Sequence, residues 1–144
     1  MKRAYIMMFA LLVLFASCSN VGRKLTNVSE VSQIEGEWKF VHMNGEPVDN
    51  PRAFMAFVDG KRVGGSTGCN NFSAAMDFDG SDIIIGEVLT TRKMCADMDF
   101  EQFLVRSLTR SQWKAQFSAD TLVLSQEQED NIIELVRKIQ AVEE

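Results

Sequence analysis

The segment Gly64-Gly65-Ser66-Thr67-Gly68 spells G-x-S-x-G, the spacing of a hydrolase nucleophile elbow. That chemistry needs a strand, a sharp turn and a helix around the serine, with a histidine later in the chain. The one histidine, His42, comes before the serine, and the residues from Phe72 onward alternate as a strand does. Serine hydrolysis is therefore not expected. Asp77, Asp79 and Asp82 gather around Gly80 and invite a calcium reading. The D-x-[DN]-x-[DN]-G order and the late Glu of an EF-hand loop are absent, so a solvated hairpin turn is the expectation. Cys69 and Cys95 lie too far apart for a CxxC redox pair, and the chain has too few further Cys or His for zinc. His42 follows Val41 in an alternating segment, which makes it a surface or rim residue.

The amino terminus narrows the meaning of the cysteines. Met1-Lys2-Arg3 carries the only early charges, and Ile6 to Phe15 is apolar throughout. A basic start, a short apolar run and then small residues form a secretory signal, and the run is too short to span a bilayer. Ala16 and Ser17 lead into Cys18, which resembles the lipoprotein signal, in which the cysteine after two small residues is acylated. Residues 1–17 are thus expected to be removed, with Cys18 as the lipid anchor and not a nucleophile. One acyl chain holds a membrane only marginally, whereas two or more hold firmly. In an exported chain, the remaining pair Cys69 and Cys95 points to a disulfide closing a loop of about 25 residues, with roughly 3–4 kcal/mol of stabilisation on the chain-entropy model. The alternative is two reduced, buried thiols, and the sequence leaves both open because it does not give the Cα separation.

Removing Lys2 and Arg3 leaves 15 − 2 = 13 basic against 20 acidic side chains, a net charge of −7. That balance argues against nucleic acid and against electrostatic adhesion to anionic lipid. Three of the eight methionines lie in or beside the signal, so no Met-rich metal site follows. No metal or other cofactor is expected.

The elements that must position these residues are mostly strands. Residues 18–33, polar and rich in Asn and Ser, read as a tether, and 34–144 as one domain. Gly36 to Met43 alternates apolar and polar side chains and ends at Asn44-Gly45. Asp59-Gly60 joins Phe54–Val58 to Lys61–Gly65, and Asp79-Gly80 joins Phe72–Phe78 to Ser81–Ile85, both strong hairpin signals. Ser118-Ala119-Asp120 joins Trp113–Phe117 to Thr121–Leu124. Ile132 to Ile139 fits either a helix face or a strand, and the need of Leu122–Leu124 for a partner favours strand. Phe100, Phe103, Leu104 and Leu108 repeat at helical spacing after Asp97, a good N-cap, which predicts a helix over about 97–109 with Asp99 and Glu101 suited to its first turn. The sum is a mainly β fold: a small antiparallel barrel or roll of about eight short strands with one helix. Trp38, Trp113 and the Phe residues, ten in the full sequence with Phe9 and Phe15 in the signal, supply its core.

Three stretches resemble the META domain, the HslJ-like heat-shock family. They are Gly36-Glu37-Trp38-Lys39-Phe40-Val41 with Asn44-Gly45-Glu46-Pro47-Val48; Val63 to Phe72, which matches the family's G-x-x-G-C-N-x-F signature; and Thr90 to Cys95 followed by Glu101, Phe103 and Leu104. The likeness covers about residues 34–138. It departs at Ser73, Ala74, Ala75 and Met76, where the family often has Gly and Tyr. The resemblance implies a lipocalin-like barrel with one helix, an association with envelope or heat stress, and no agreed catalytic activity.

Within the signature, Gly64, Gly65 and Gly68 allow close backbone approach or positive φ, and Asn70 and Asn71 can bond their own turn. A functional reading makes Asn70 and Asn71, with Ser66 and Thr67, polar contacts in a recognition pocket. The expectation is a non-catalytic envelope lipoprotein, on the periplasmic side of the outer membrane, with a structural or protein-binding role through the Gly64–Phe72 face. The alternative is a lipocalin-like carrier of a small apolar ligand. An eight-stranded barrel can be filled by side chains or hold one small ligand. The many Phe and Met favour filling, and an internal void of about 300 Å³ or more would favour the carrier.

Overall fold

Alternation at Gly36–Met43 becomes a strand over those same residues in a computed structural model, which describes residues 24–139. The signal segment 1–17 and Cys18 lie outside the described residues. The strands are β1 (Thr26–Asn27), β2 (Gly36–Met43), β3 (Glu46–Pro47), β4 (Ala53–Val58), β5 (Arg62–Thr67), β6 (Asn71–Asp79), β7 (Asp82–Ile85), β8 (Leu89–Thr90), β9 (Ser111–Ser118), β10 (Thr121–Ser125) and β11 (Ile132–Arg137), with one helix, α1 (Asp99–Leu108). Eight of them run β9-β10-β11-β2-β4-β5-β6-β7, and β7 returns to β9 through Ile83 opposite Trp113, so an antiparallel barrel closes. β1, β3 and β8 are short additions to β9, β2 and β6. The expected mainly β barrel with one helix is what the described residues form.

The hairpins follow their turn chemistry. Asn44 and Gly45, and Asp59 and Gly60, take positive φ in pairs. The β6–β7 turn lies one residue later than Asp79-Gly80: Asp79 pairs with Asp82, and Gly80-Ser81 makes the turn. Ile132–Arg137 is a strand between β10 and β2, giving β10 the partner it required. A bulge between Glu134 and Leu135 shifts the register of β11 against β2. The phase of β2 changes there, so Met43 is buried while His42 stays half-exposed and pairs with Glu134 at 3.3 Å. α1 begins two residues later than Asp97: Met98 is the N-cap, and Asp97 accepts the Asp99 N–H at 3.1 Å.

The barrel is filled. Trp38, Phe40, Met55, Phe57, Trp113, Leu122 and Leu124 are buried inside it. α1 covers one end, with Leu104 and Leu108 buried and Phe100 edge-on to Phe40 at 5.3 Å. The other end is closed by Ile34, the first residue of the expected domain, together with residues that the sequence places in a tether. Val28 and Ile34 are buried, β1 takes up the edge of β9 beyond the reach of β7, and Val31 in a 3-10 turn sits over Gly60. Arg137 clamps that turn by donating to the carbonyls of Gln33 at 2.7 Å and Glu35 at 3.0 Å. Its guanidinium also lies 4.2 Å from the centre of the Trp38 ring, a cation–π contact. The folded body therefore begins by Thr26, inside the 18–33 segment. Sparse apolar residues in an Asn/Ser-rich stretch conceal a plug when only their periodicity is read.

Candidate functional site

The signature turn is tied together from both sides. Thr67 ends β5 and Asn71 begins β6, and between them the Asn70 N–H donates to Thr67 Oγ1 at 2.9 Å while the Thr67 N–H donates to the Asn70 carbonyl at 2.8 Å. Gly68, with φ +91°, is required twice: its conformation is left-handed, and a Cβ there would run into the Asn50 side chain. Asn50 in turn donates to the Thr67 carbonyl at 3.3 Å and accepts the Arg52 N–H at 3.2 Å.

Asn70 is 1 % exposed, and its amide is fully used. Oδ1 accepts the Lys93 N–H at 2.7 Å and the Thr91 hydroxyl at 2.8 Å. Nδ2 donates to the Lys93 carbonyl at 2.9 Å and to Glu101 Oε1 at 2.8 Å. The second carboxylate oxygen of Glu101 accepts the Thr67 hydroxyl at 2.6 Å. Glu101 is buried, on the same stripe of α1 as Leu104 and Leu108. A buried carboxylate is tolerated when such donors replace water. Cys69 and Cys95 form a disulfide with Cα atoms 6.2 Å apart, within the usual range. The irregular 91–98 segment is thus joined to the barrel by a covalent bond and by the Asn70 amide.

The candidate residues separate into different roles. Thr67 and Asn70 meet in this network and serve as framework, so Asn70 presents no free polar atom to a ligand. Ser66 Oγ accepts the Gly68 N–H at 3.0 Å, which supports the turn. Asn71 is exposed, and its backbone N–H donates to Thr91 Oγ1 at 3.1 Å. Ser66 lies within β5, and the turn after it leads into β6 and not a helix, so no nucleophile elbow exists. Glu101, which the sequence offers as a dipole-favoured acid and as part of the third family-like stretch but not as a site residue, is the missed residue. Its signal was the i, i+3, i+7 spacing with Leu104 and Leu108, which puts a carboxylate on the apolar face.

Beside this framework lies an open cleft of about 730 Å³. It exists because β2 changes partner. Gly36–Lys39 pairs with β4, whereas His42 and Met43 pair with β3, and Val48 donates to the Val41 carbonyl at 2.9 Å. The barrel wall splays there. Met43, Val48, Phe100 and Phe103 supply the apolar lining, and Thr67, Gly68 and the disulfide form the back wall. The cleft is an opening at the mouth of the barrel and not a void within its core. Among the described residues no cluster of three or more His, Cys, Asp or Glu could hold a metal ion. The Lys114–Glu127 pair, at 2.8 Å, lies in a separate polar hollow. Its hydrogen bond and mutual charge raise the Lys114 pKa and lower that of Glu127, as in an ordinary exposed ion pair.

Comparison with known proteins agrees with this geometry. The META domain family matches residues 30–138. A solved NMR structure superposes with a TM-score of 0.62 at 18% identity, covering 76% of this chain and 95% of that one. An NMR structure of a protein from Burkholderia xenovorans gives a TM-score of 0.60 at 15% identity, covering 76% and 86%. At these identities the likeness is one of fold. Among curated proteins none matches this sequence.

Proposed function

Since the chain belongs to the META domain family, which is not a known enzyme family, we propose that it is a non-catalytic binding module, exported and tethered by lipid on Cys18. The cleft-bearing pole recognises another envelope protein under envelope or heat stress. The observation that carries this reading is the open cleft with half-buried Phe100 and Phe103, held on a disulfide-bonded, fully hydrogen-bonded framework. Preformed concave sites with an apolar lining and a few polar groups are where ligands bind, and rigidity lowers the ordering cost of binding. The cleft adjoins Thr67 and Gly68, at the end of the signature face. A carrier with its ligand inside the barrel is less well supported, because Trp38, Phe40, Trp113 and their neighbours occupy that interior.

A photo-crosslinker at Val48, in the cleft, should give a specific protein adduct in native membranes. The same group at Asp120, in the turn between β9 and β10 at the opposite pole, should give none. Absence of an adduct at Val48, or the same adduct from both positions, would contradict the proposal.

A further inference from the structure

The cleft has a charge pattern that its apolar lining does not explain. Glu46, Asp49 and Asp97 stand at its edge against the single base Arg52. Glu46, Asp49 and Asp97 are exposed, and none makes an ion pair among the described residues. Glu30, Glu35, Asp120, Glu129 and Asp130 are likewise exposed without an ion pair among the described residues, but none of them borders the cleft, so what sets Glu46, Asp49 and Asp97 apart is their place beside its apolar floor. Three unpaired acids around an aromatic and aliphatic floor make a surface complementary to a chain that is both cationic and apolar.

The fold also decides which way the cleft faces. β1, at Thr26–Asn27, pairs with Phe117 and Gln116, close to the β9–β10 turn and on the pole away from α1 and the cleft. Five residues separate Cys18 from Lys24, a reach of at most about 20 Å over the six steps. A lipid on Cys18 therefore holds the plugged pole toward the bilayer and turns the cleft away from it. An acidic edge at that distance is unsuited to an anionic lipid surface.

From this juxtaposition we infer that the cleft binds a positively charged, apolar-faced peptide segment of a partner protein. The apolar side chains lie on Val48, Phe100 and Phe103, and Lys or Arg side chains reach Glu46, Asp49 and Asp97. This inference rests on the binding reading above and specifies its ligand chemistry.

The probe is a short fluorescein-labelled peptide alternating Lys and Leu, with a counterpart carrying Glu in place of Lys. Anisotropy is read on the full chain in phosphatidylcholine nanodiscs, against empty nanodiscs. The Lys peptide should bind at least about tenfold tighter than the Glu peptide, with affinity falling as salt rises. Glu46→Gln, Asp49→Asn and Asp97→Asn together should weaken the Lys peptide about tenfold. Asp97→Asn keeps the oxygen that accepts the Asp99 N–H, so the helix start is preserved. Asp120→Asn, at the other pole, should change nothing. Equal binding of the two peptides, no loss in the triple variant, or the same signal from empty nanodiscs would overturn the inference. Saturable binding of the neutral apolar probe N-phenylnaphthylamine that excludes the Lys peptide and is untouched by the triple variant would overturn it in favour of an apolar small molecule. A Val48 adduct in native membranes without the Lys preference would remove only the peptide chemistry; loss of the adduct would remove the binding reading itself.

Discussion

Gly65→Ala is expected to destabilise the domain by more than about 4 kcal/mol, a magnitude reserved for strain or core disruption. Gly65 stands opposite Met55 in the middle of the β4–β5 pair. A Cβ there would collide with the Phe54 carbonyl oxygen, and Met55 Cα would lie at 3.0 Å. The obstacle is backbone in a paired strand, so no side-chain rotation relieves it, and φ is +154°. Gly80→Ala is the contrast. Its φ of +67° carries the left-handed cost of about 1–2 kcal/mol, but nothing lies within 4 Å of the added atom. Chemical denaturation of the two variants should separate them clearly. Equal losses would mean that the tight strand approach at Gly65 is not a constraint in solution.

Glu101→Leu carries the second large effect, and its sign is informative. Glu101 shares the buried stripe of α1 with Leu104 and Leu108. If that stripe were only an apolar face, leucine would stabilise the helix. The Asn70 amide and Thr67 hydroxyl instead donate to the carboxylate at 2.8 and 2.6 Å. Leucine leaves one N–H of the buried Asn70 amide without its partner, the other still donating to the Lys93 carbonyl, and forces the Thr67 hydroxyl to turn toward the Asn70 carbonyl, 3.1 Å away. A buried polar group so orphaned costs about 1–3 kcal/mol, which predicts a loss of that size. Glu101→Gln should fall between, because its NH₂ faces a donor whichever way it is turned. Thermal unfolding gives the answer, and a gain in Tm for Glu101→Leu would refute the network.

These two residues also mark how far the sequence can be read. The strands and their hairpins were legible because alternation and Asn-Gly or Asp-Gly pairs act over a few residues, and β2 came out over Gly36–Met43 as its pattern predicts. The role of Glu101 was not, since Thr67 lies 34 residues away and no local rule links a helix acid to a strand-end hydroxyl. Val28 was hidden by the polar composition around it, although with Ile34 it plugs the barrel. β3 and β8, each of two residues, are too short to show a period. The cleft depends on both kinds of information: its lining residues are visible as types, but the change of partner along β2 that opens it is a tertiary event.

The Asn70 side chain shows the same division. A Gly-Cys-Asn turn reads first as a scaffold and second as a ligand contact, and the burial of the amide against Lys93, Thr91 and Glu101 assigns it to the scaffold. Its place beside the disulfide explains how a segment without regular structure can form a fixed wall. Closing that loop by Cys69 and Cys95 contributes about 3.5 kcal/mol on the chain-entropy model.

Amide hydrogen exchange at Lys93 tests most directly whether the signature is a rigid framework for the cleft. Lys93 is exposed and outside any helix or strand, yet its N–H donates to Asn70 Oδ1 at 2.7 Å. Its amide should exchange as slowly as the barrel strands, through openings near the global unfolding free energy, while that of Met94, 91% exposed, exchanges freely. Lys93 exchanging as fast as Met94 would contradict the account, because the wall of the cleft would then be an ordinary loose loop.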